Sequence, residues 1–430
     1  MTTELPLMSA VIARLVMPEI NLAAWGVIFA VSTIVQSPST MLLAASTALC
    51  KDWAAYVKLG CFMAGITVLL TAVHLLIAFT PLYDVVIGRL IGAPPEILDP
   101  ARLGLQIMTP WTFGTAYRRF QQGVLIRFDH SQAVVWGSAL RLGIDSLVLA
   151  GGYLLGSIPG VVVATTAIIA GVLSEAGYAG FIVRPICRQQ LKQASPVEPA
   201  LTLGAFLNFY LPLAITMLLT LLVQPLVSAA LSRMPGALES LAVWPVLFGL
   251  LLMWQSAGIS YNEAVIALLD QPRAGRRLGR FTMTLAVIVT GLLLVMMVTP
   301  LARLWFSRVA ALSPALAALA QHGLWFGLLL PGLRIWQSWY QGLIVYSRRT
   351  RGITESVLVF LASAAAILGA GVWWGRIPGL DIGILALVGG VLAQTLWLRH
   401  HAQPVLRAVH NRDAEAGSLQ PARAASEAQT

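Results

Sequence analysis

Residues 278–300 read LGRFTMTLAVIVTGLLLVMMVTP, a run in which Arg280 is the one charged side chain. A helix needs about 20 apolar residues to cross the hydrocarbon core of a bilayer, and this run is long enough. Similar runs lie at 56–79, 203–231 and 353–374. Because these runs are continuously apolar rather than alternating, they predict membrane-spanning α-helices and not the strands of a β-barrel.

The composition of the whole chain agrees with this interpretation. Of its 430 residues, 58% are hydrophobic and only 11% are charged, and the mean hydropathy is +0.79. Soluble domains carry roughly 25% charged residues. A water-soluble fold could not cover so much apolar surface. We therefore predict an all-α integral membrane protein whose first partner is the lipid bilayer.

The chain repeats itself at a constant offset of 219 residues. Gly156 and Ile158-Pro159-Gly160 reappear as Gly375 and Ile377-Pro378-Gly379. Because one register holds through loops as well as helices, the pattern indicates a duplicated unit. Other matches at this offset are Arg14 with Arg233, Trp25 with Trp244, Gln36-Ser37 with Gln255-Ser256, and Gln122-Gly123 with Gln341-Gly342.

Each copy predicts six helices. An even number of spans means that both copies enter the membrane from the same side, so we predict two parallel pseudo-symmetric lobes with about 12 helices. The second copy predicts helices at 203–232, 239–269, 278–303, 314–346, 352–374 and 379–401. The first predicts a short opening stretch at 5–15 and helices at 20–49, 56–80, 104–126, 133–155 and 159–183.

The predicted domains follow from this repeat. We expect an N-lobe at 1–190, a cytoplasmic linker at 191–202 and a C-lobe at 203–410, followed by a disordered cytoplasmic tail at 411–430. The first helix is truncated relative to its counterpart, and ten-odd residues cannot span the bilayer at about 1.5 Å per residue. We expect the true start to lie upstream; the alternative is a lobe that lacks half a helix.

The formal net charge of +10 has an explanation that needs no nucleic acid. The basic residues lie in short loops rather than in one patch, and 17 of the 28 fall on one side of the predicted membrane against 7 on the other. Lys and Arg are retained on the cytoplasmic side. The linker and the C-terminus are therefore predicted to be cytoplasmic, in a bacterial-type inner membrane.

Seven charged residues fall inside predicted spans. A charge at the bilayer centre costs at least about 2.5–3.5 kcal/mol, so each needs a partner or a wet cavity. The arginines are Arg118, Arg119, Arg141 and Arg334, and the carboxylates are Asp145, Glu175 and Glu263.

Each of these residues has a functional and a structural interpretation. The candidates for a substrate cavity are Arg118, Arg119, Gln122, Arg334, Gln341, Gln36 and Gln255. The candidates for a coupling-ion site are Glu263, Glu175 and Asp145. The structural alternatives are snorkelling of the arginines to headgroups, an ion pair between Arg141 and Asp145 on one helix face, and hydrogen bonds between helices.

Motifs for enzyme chemistry are not found in the sequence. There is no GxxxxGK[ST] phosphate loop and no Ser/His/Asp or metal-ligand pattern, and Cys50, Cys61 and Cys187 are widely spaced. We predict that the chain is not an enzyme, needs no metal or cofactor beyond H⁺ or Na⁺ as a coupling ion, and is a monomer.

Two parallel six-helix lobes with a basic loop after the fourth helix of each resemble the multidrug/oligosaccharide-lipid/polysaccharide exporter superfamily, which includes the MATE drug exporters. Within it, Pro110-Trp111, Gln122–Ile126 and Arg334–Arg349 are similar to the progressive-ankylosis branch, whose members handle organic anions and pyrophosphate-like solutes. In MATE exporters the N-lobe cation site includes an acid on helix 1. The sequence shows no such acid, so the resemblance assigns no ion-site residue.

The resemblance implies an ion-gradient-driven secondary transporter that moves a small organic solute or drug by alternating access between the two lobes. The alternatives are an organic-anion exporter of the progressive-ankylosis type, a lipid-linked oligosaccharide flippase, and a membrane scaffold that transports nothing.

Overall fold

The computed structural model describes residues 4–195, 200–269, 274–347 and 351–427. Side chains are described within these ranges except at 260, 263, 267, 274, 351 and 410–427. In the first half the helices are α1 (Glu4–Ile12), α2 (Pro18–Thr40), α3 (Leu42–Leu49), α4 (Trp53–Phe79), α5 (Pro95–Ile107), α6 (Thr109–Arg127), α7 (Ser131–Leu155) and α8 (Gly160–Ile186).

The second half continues the same order. Its helices are α9 (Leu203–Leu221), α10 (Val223–Leu231), α11 (Ala237–Leu268), α12 (Ala274–Val298), α13 (Pro300–Leu304), α14 (Pro314–Phe326), α15 (Leu330–Tyr346), α16 (Arg351–Trp374) and α17 (Gly379–Glu427). Short π-helical segments lie at Asp84–Ile91, Cys187–Leu191 and Trp305–Val309.

Helix boundaries repeat at the offset that the sequence predicted. The bounds of α1 and α10 differ by 219 residues at both ends, and so do those of α5 and α14. Both α5 and α14 begin with a proline, Pro95 and Pro314, whose missing N–H costs nothing in the first turn. The duplication is therefore visible in the secondary structure as well as in the sequence.

The repeated Gly-x-Ile-Pro-Gly segment joins two helices in each half. Gly156 follows α7 with φ of 66° and Gly375 follows α16 with φ of 63°. A glycine reaches this left-handed region without the penalty of a Cβ. The next helices, α8 and α17, begin directly after Pro159 and Pro378. The motif thus fixes a tight turn between two antiparallel helices.

Within the described residues, nine helices or helix pairs are long and apolar enough to cross a membrane. A tenth candidate is the pair α14 and α15, which is bent by 40°. The chain is an integral membrane protein with an all-α fold, as predicted. One predicted span differs: the helix placed at 104–126 begins earlier, at Pro95, and breaks at Met108 into α5 and α6.

The described chain forms two compact units. The first, here the N-unit, runs from Glu4 to Val246, and the second, the C-unit, begins at Leu247. The boundary falls inside α11 because α9 and α10 pack against α2. The predicted lobe boundaries at 190 and 203 stay a prediction.

Each unit has a buried apolar core. In the N-unit, Phe120, Val124 and Phe206 belong to one cluster. In the C-unit, Val265, Ile335 and Trp339 belong to another. The backbone of α17 is helical to Glu427, although 411–430 was predicted to be disordered. Alanine, glutamate and arginine in this segment are good helix formers, which explains a helical backbone without a packed face.

Candidate functional site

The N-unit contains a buried group of charged side chains centred on Glu175 of α8. The Nη1 of Arg118 donates to Oε2 of Glu175 at 2.8 Å, and Nε2 of Gln122 donates to Oε1 at 2.8 Å. Arg118 and Gln122 are four residues apart on α6, so they project from one face of that helix. The hydroxyl of Ser138 on α7 adds a third donor to Oε1, at 3.2 Å. Glu175 is therefore fully supplied with donors.

Arg141 of α7 lies within reach of three carboxylates. Its Nη2 donates to Oε2 of Glu4 on α1 at 2.5 Å. Its Nη1 lies 3.7 Å from Oε2 of Glu175, and its Nε lies 3.8 Å from Oδ2 of Asp145. One guanidinium thus connects α1, α7 and α8, and we call Glu4, Arg118, Gln122, Ser138, Arg141, Asp145 and Glu175 the charge cluster.

Asp145 differs from the other acids of the charge cluster. Its side chain is fully buried, yet neither carboxylate oxygen accepts a hydrogen bond from the described residues. An ionised carboxylate in such a place keeps only the ion pair with Arg141 to offset its lost hydration. Glu175, with three donors, is held in its ionised form by its neighbours. Asp145 is the acid whose charge the structure supports least.

Gly171 of α8 explains how Asp145 comes so close to the neighbouring helix. A Cβ added at Gly171 would overlap the Asp145 carboxylate and would press on the Arg141 stem. Only glycine leaves this space, so α7 and α8 approach each other at the position of the acid.

The equivalent place in the C-unit holds a neutral network. Adding 219 converts Arg118 to Gln337 and Glu175 to Gln394. The Nε2 of Gln337 donates to Oε1 of Gln394 at 2.8 Å, and Nε2 of Gln394 donates to Oγ of Ser356 at 3.3 Å. Arg334 joins this amide network by donating to Oε1 of Gln337 at 2.9 Å.

The structure brings together four of the ten predicted site residues: Arg118, Gln122, Asp145 and Glu175. The half-buried Arg119 lies next to Arg118, where its charge acts on Glu175. Gln36 is buried in α2, and its Oε1 has no hydrogen-bond partner among the described residues. None of these positions tests a role in transport, and the assignments stay predictions.

The remaining predicted residues lie in the C-unit. Arg334 is half-buried and makes no ion pair within the described ranges. The side chain of Gln255 donates to the carbonyl of Leu251 on its own helix at 3.1 Å, and Gln341 is half-buried on α15. Glu263 lies on α11, but its side chain is outside the described residues.

Sequence reasoning missed Glu4. The expectation that helix 1 carries no acid was wrong, because Glu4 is on α1, is 8% exposed and binds Arg141. The predicted opening stretch began one residue later, at Leu5. The alignment with α10 could have shown that helix 1 starts at this position, but the equivalent residue there is Val223, so the duplication gave no hint of a charge.

Comparisons with known proteins define the fold. No protein-family model matches the sequence, and no curated protein matches it. A multidrug resistance MATE family transporter of the MOP superfamily, in its inward-facing conformation, matches with a TM-score of 0.74 at 15% identity over 96% of both chains. The lipid II flippase MurJ, in an inward closed conformation, matches with a TM-score of 0.72 at 12% identity over 95% of this chain and 88% of MurJ.

A third match is the eukaryotic MATE transporter AtDTX14, with a TM-score of 0.57 at 17% identity over 96% of this chain and 98% of that one. All these identities are low, so they show a shared fold over nearly the whole length of each chain. The predicted MATE-like fold is confirmed.

Proposed function

We propose that this protein is an ion-gradient-driven secondary transporter that moves a small organic solute across a bacterial-type cytoplasmic membrane by alternating access, with its C-terminus in the cytoplasm. Two matches of this fold are a multidrug resistance transporter and a lipid flippase. The observation that carries the proposal is the charge cluster, because buried ionisable groups at membrane depth are expensive and serve ion or substrate pathways.

The arrangement around Arg141 gives the coupling a chemical basis. Arg141 lies 2.5 Å from Glu4, 3.7 Å from Glu175 and 3.8 Å from Asp145. Binding of a proton or Na⁺ to Asp145 would cancel its attraction to Arg141 and leave that guanidinium to Glu4 and Glu175. Since these acids belong to α1, α7 and α8, one binding event would change the forces that hold three helices together. This is the kind of differential interaction that an alternating-access cycle requires.

Transport in proteoliposomes tests the proposal. The full chain is reconstituted and offered ethidium, citrate or a nucleotide under an imposed proton or sodium gradient. We expect one of these gradients to drive accumulation of a solute. The Asp145→Asn variant, which mimics the neutral acid, should still equilibrate that solute but should lose its dependence on the ion gradient.

A matched control removes one carboxylate charge elsewhere. Asp99 is an exposed residue of α5, outside the charge cluster, so Asp99→Asn should keep full coupling. If Asp145→Asn retains gradient-driven accumulation, Asp145 is not the coupling residue. If no solute in the panel responds to either gradient in the wild type, the proposed function itself fails.

A lipid-linked flippase is the second candidate, because the TM-score of the MurJ match, 0.72, is close to that of the MATE match. Scrambling of a fluorescent lipid-linked sugar in the same vesicles, with no movement of soluble solutes, would favour it.

A further inference from the structure

The C-unit contains a cavity of about 770 Å³ between α12, α15 and α17. Its charged lining residues are Arg276 and Arg280 of α12 and Arg399 of α17. No carboxylate lines it within the described residues. Trp336 and Tyr340 of α15 contribute aromatic walls, and Arg399 lies close enough to Tyr340 for its charge to act on that phenol. The cavity therefore combines three cations with aromatic rings.

The cavity continues along α17 as an apolar groove. Leu392, Leu396, Arg399 and Gln403 line it at helical spacing, so they share one face of α17. Leu392 and Leu396 are exposed, with 42% and 54% of their surfaces accessible. Leucines toward the middle of the span and cations toward its end make an amphipathic groove that runs along the membrane normal.

The three arginines lie at the depth of lipid headgroups. Arg276 and Arg280 occupy the first two turns of α12, before the apolar part of that span. Arg399 is 20 residues beyond Gly379, where α17 begins, which is roughly 30 Å along a helix and equals the hydrocarbon thickness. Trp and Tyr are also enriched at this interface.

The equivalent place in the N-unit is closed and neutral. Subtracting 219 turns Arg276, Arg280 and Arg399 into Val57, Cys61 and Gly180. A Cβ added at Gly180 would lie 2.5 Å from the hydroxyl of Tyr117, the residue equivalent to Trp336, so a tyrosine packs where the C-unit has an open groove. The three cations are thus a property of one unit and not of the repeated fold.

We propose that this groove binds an anionic phospholipid, with the phosphate of the headgroup on Arg276, Arg280 and Arg399 and one acyl chain along Leu392 and Leu396. Guanidinium groups bind phosphate oxygens in bidentate pairs, and basic pockets between transmembrane helices suit anionic headgroups. A soluble anion would use the cations but not the apolar groove, and a zwitterionic lipid would use the groove but not the excess positive charge.

Native mass spectrometry of the full-length protein in detergent tests this site. The probes are dioleoyl phosphatidylglycerol and dioleoyl phosphatidylcholine, which share acyl chains and differ in headgroup charge. The wild type should retain phosphatidylglycerol preferentially. The triple variant Arg276→Gln, Arg280→Gln, Arg399→Gln should lose about tenfold or more of that binding while keeping the weaker phosphatidylcholine adducts.

The matched control removes the same charge from other exposed arginines, with the substitutions Arg188→Gln, Arg277→Gln and Arg407→Gln. None of these residues lines the cavity, and phosphatidylglycerol binding should be unchanged. Equal losses in both triple variants would overturn the site in favour of a general surface charge effect. Equal binding of the two lipids by the wild type would also overturn it.

A measurement on the wild type alone covers the case in which the triple variant misfolds. Raising the salt concentration should weaken phosphatidylglycerol binding and leave phosphatidylcholine binding unchanged. If millimolar inorganic phosphate displaces phosphatidylglycerol as effectively as added phosphatidylglycerol does, the groove is a soluble-anion site and the lipid assignment is wrong. The outcome does not depend on whether the protein transports anything.

Discussion

The N-unit and the C-unit make the same contact with different chemistry. In the N-unit, Arg118 on α6 meets Glu175 on α8 at 2.8 Å, and in the C-unit Gln337 on α15 meets Gln394 on α17 at 2.8 Å. Both pairs are buried and are related by the offset of 219 residues. A hydrogen bond at this point is thus common to both units, whereas the charge is an addition of the N-unit.

The surroundings of the two contacts differ in the same sense. The positions of Arg141 and Asp145 are held by Phe360 and Ala364 in the C-unit. One unit therefore concentrates ionisable groups that the other replaces with apolar ones. Charges confined to one unit can respond to an ion while the neutral counterpart keeps its packing, which is why we place the coupling site in the N-unit.

The largest expected effect comes from breaking the charged contact. Glu175→Ala leaves Arg118 buried without its partner, and we expect a loss of about 3–5 kcal/mol in the free energy of unfolding. Gln394→Ala removes the neutral counterpart and should cost only about 0.5–2 kcal/mol. Chemical unfolding in detergent measures both, and equal losses would contradict the contrast drawn between the units.

A smaller effect is expected from closing the space beside Asp145. Gly171→Ala forces α7 and α8 apart, and we expect a loss of about 1–3 kcal/mol from this overpacking. Gly177 is on the same helix and has open space around it, so Gly177→Ala should be neutral or stabilising by up to about 1 kcal/mol. A neutral result for Gly171→Ala would mean that the acid can move away freely.

Arg334 is the one arginine of the C-unit network. Arg334→Ala should reduce transport about tenfold, equivalent to about 1.4 kcal/mol, while insertion and thermal stability remain unchanged. The reason is that its hydrogen bond to Gln337 is its one polar contact among the described residues, so its charge remains available to an anionic or polar solute. Normal uptake in proteoliposomes would remove it from the substrate site.

The smallest effect on stability should come from making the two contacts alike. The double variant Arg118→Gln, Glu175→Gln copies the pair found in the C-unit, and its unfolding free energy should stay within about 1 kcal/mol of the wild type, since a neutral pair replaces a buried ion pair. Coupled transport should be lost all the same. A variant that is stable and still fully coupled would show that the charge cluster is structural only.

Much of the architecture could be predicted from the sequence, because the deciding signals are long and local. An apolar run of about 20 residues predicts a span wherever it lies, and the repeated offset predicted the paired boundaries of α5 and α14. The break at Met108 was not predicted, because both segments read as one helical pattern. The Pro95 start was missed for the same reason, since 95–107 is more polar than the other spans.

The site was predicted in part. Arg118, Gln122, Asp145 and Glu175 were singled out because charged and amide side chains are rare at membrane depth. Their grouping could not be predicted, since the rotation of α6, α7 and α8 about their axes depends on packing. Glu4 was missed because it lies in a segment too short to be recognised as a span.

The sequence by itself determined that the chain is helical, that it spans a membrane and that it carries two copies of one unit. These properties follow from the composition of each segment and from an offset that needs no coordinates. Only the tertiary structure decided which arginine meets which acid and that Asp145 lies without a hydrogen-bond donor. It also decided that one unit has an open basic groove where Tyr117 closes the other. Such properties depend on ångström-scale distances between helices, which side-chain packing sets and sequence spacing does not encode.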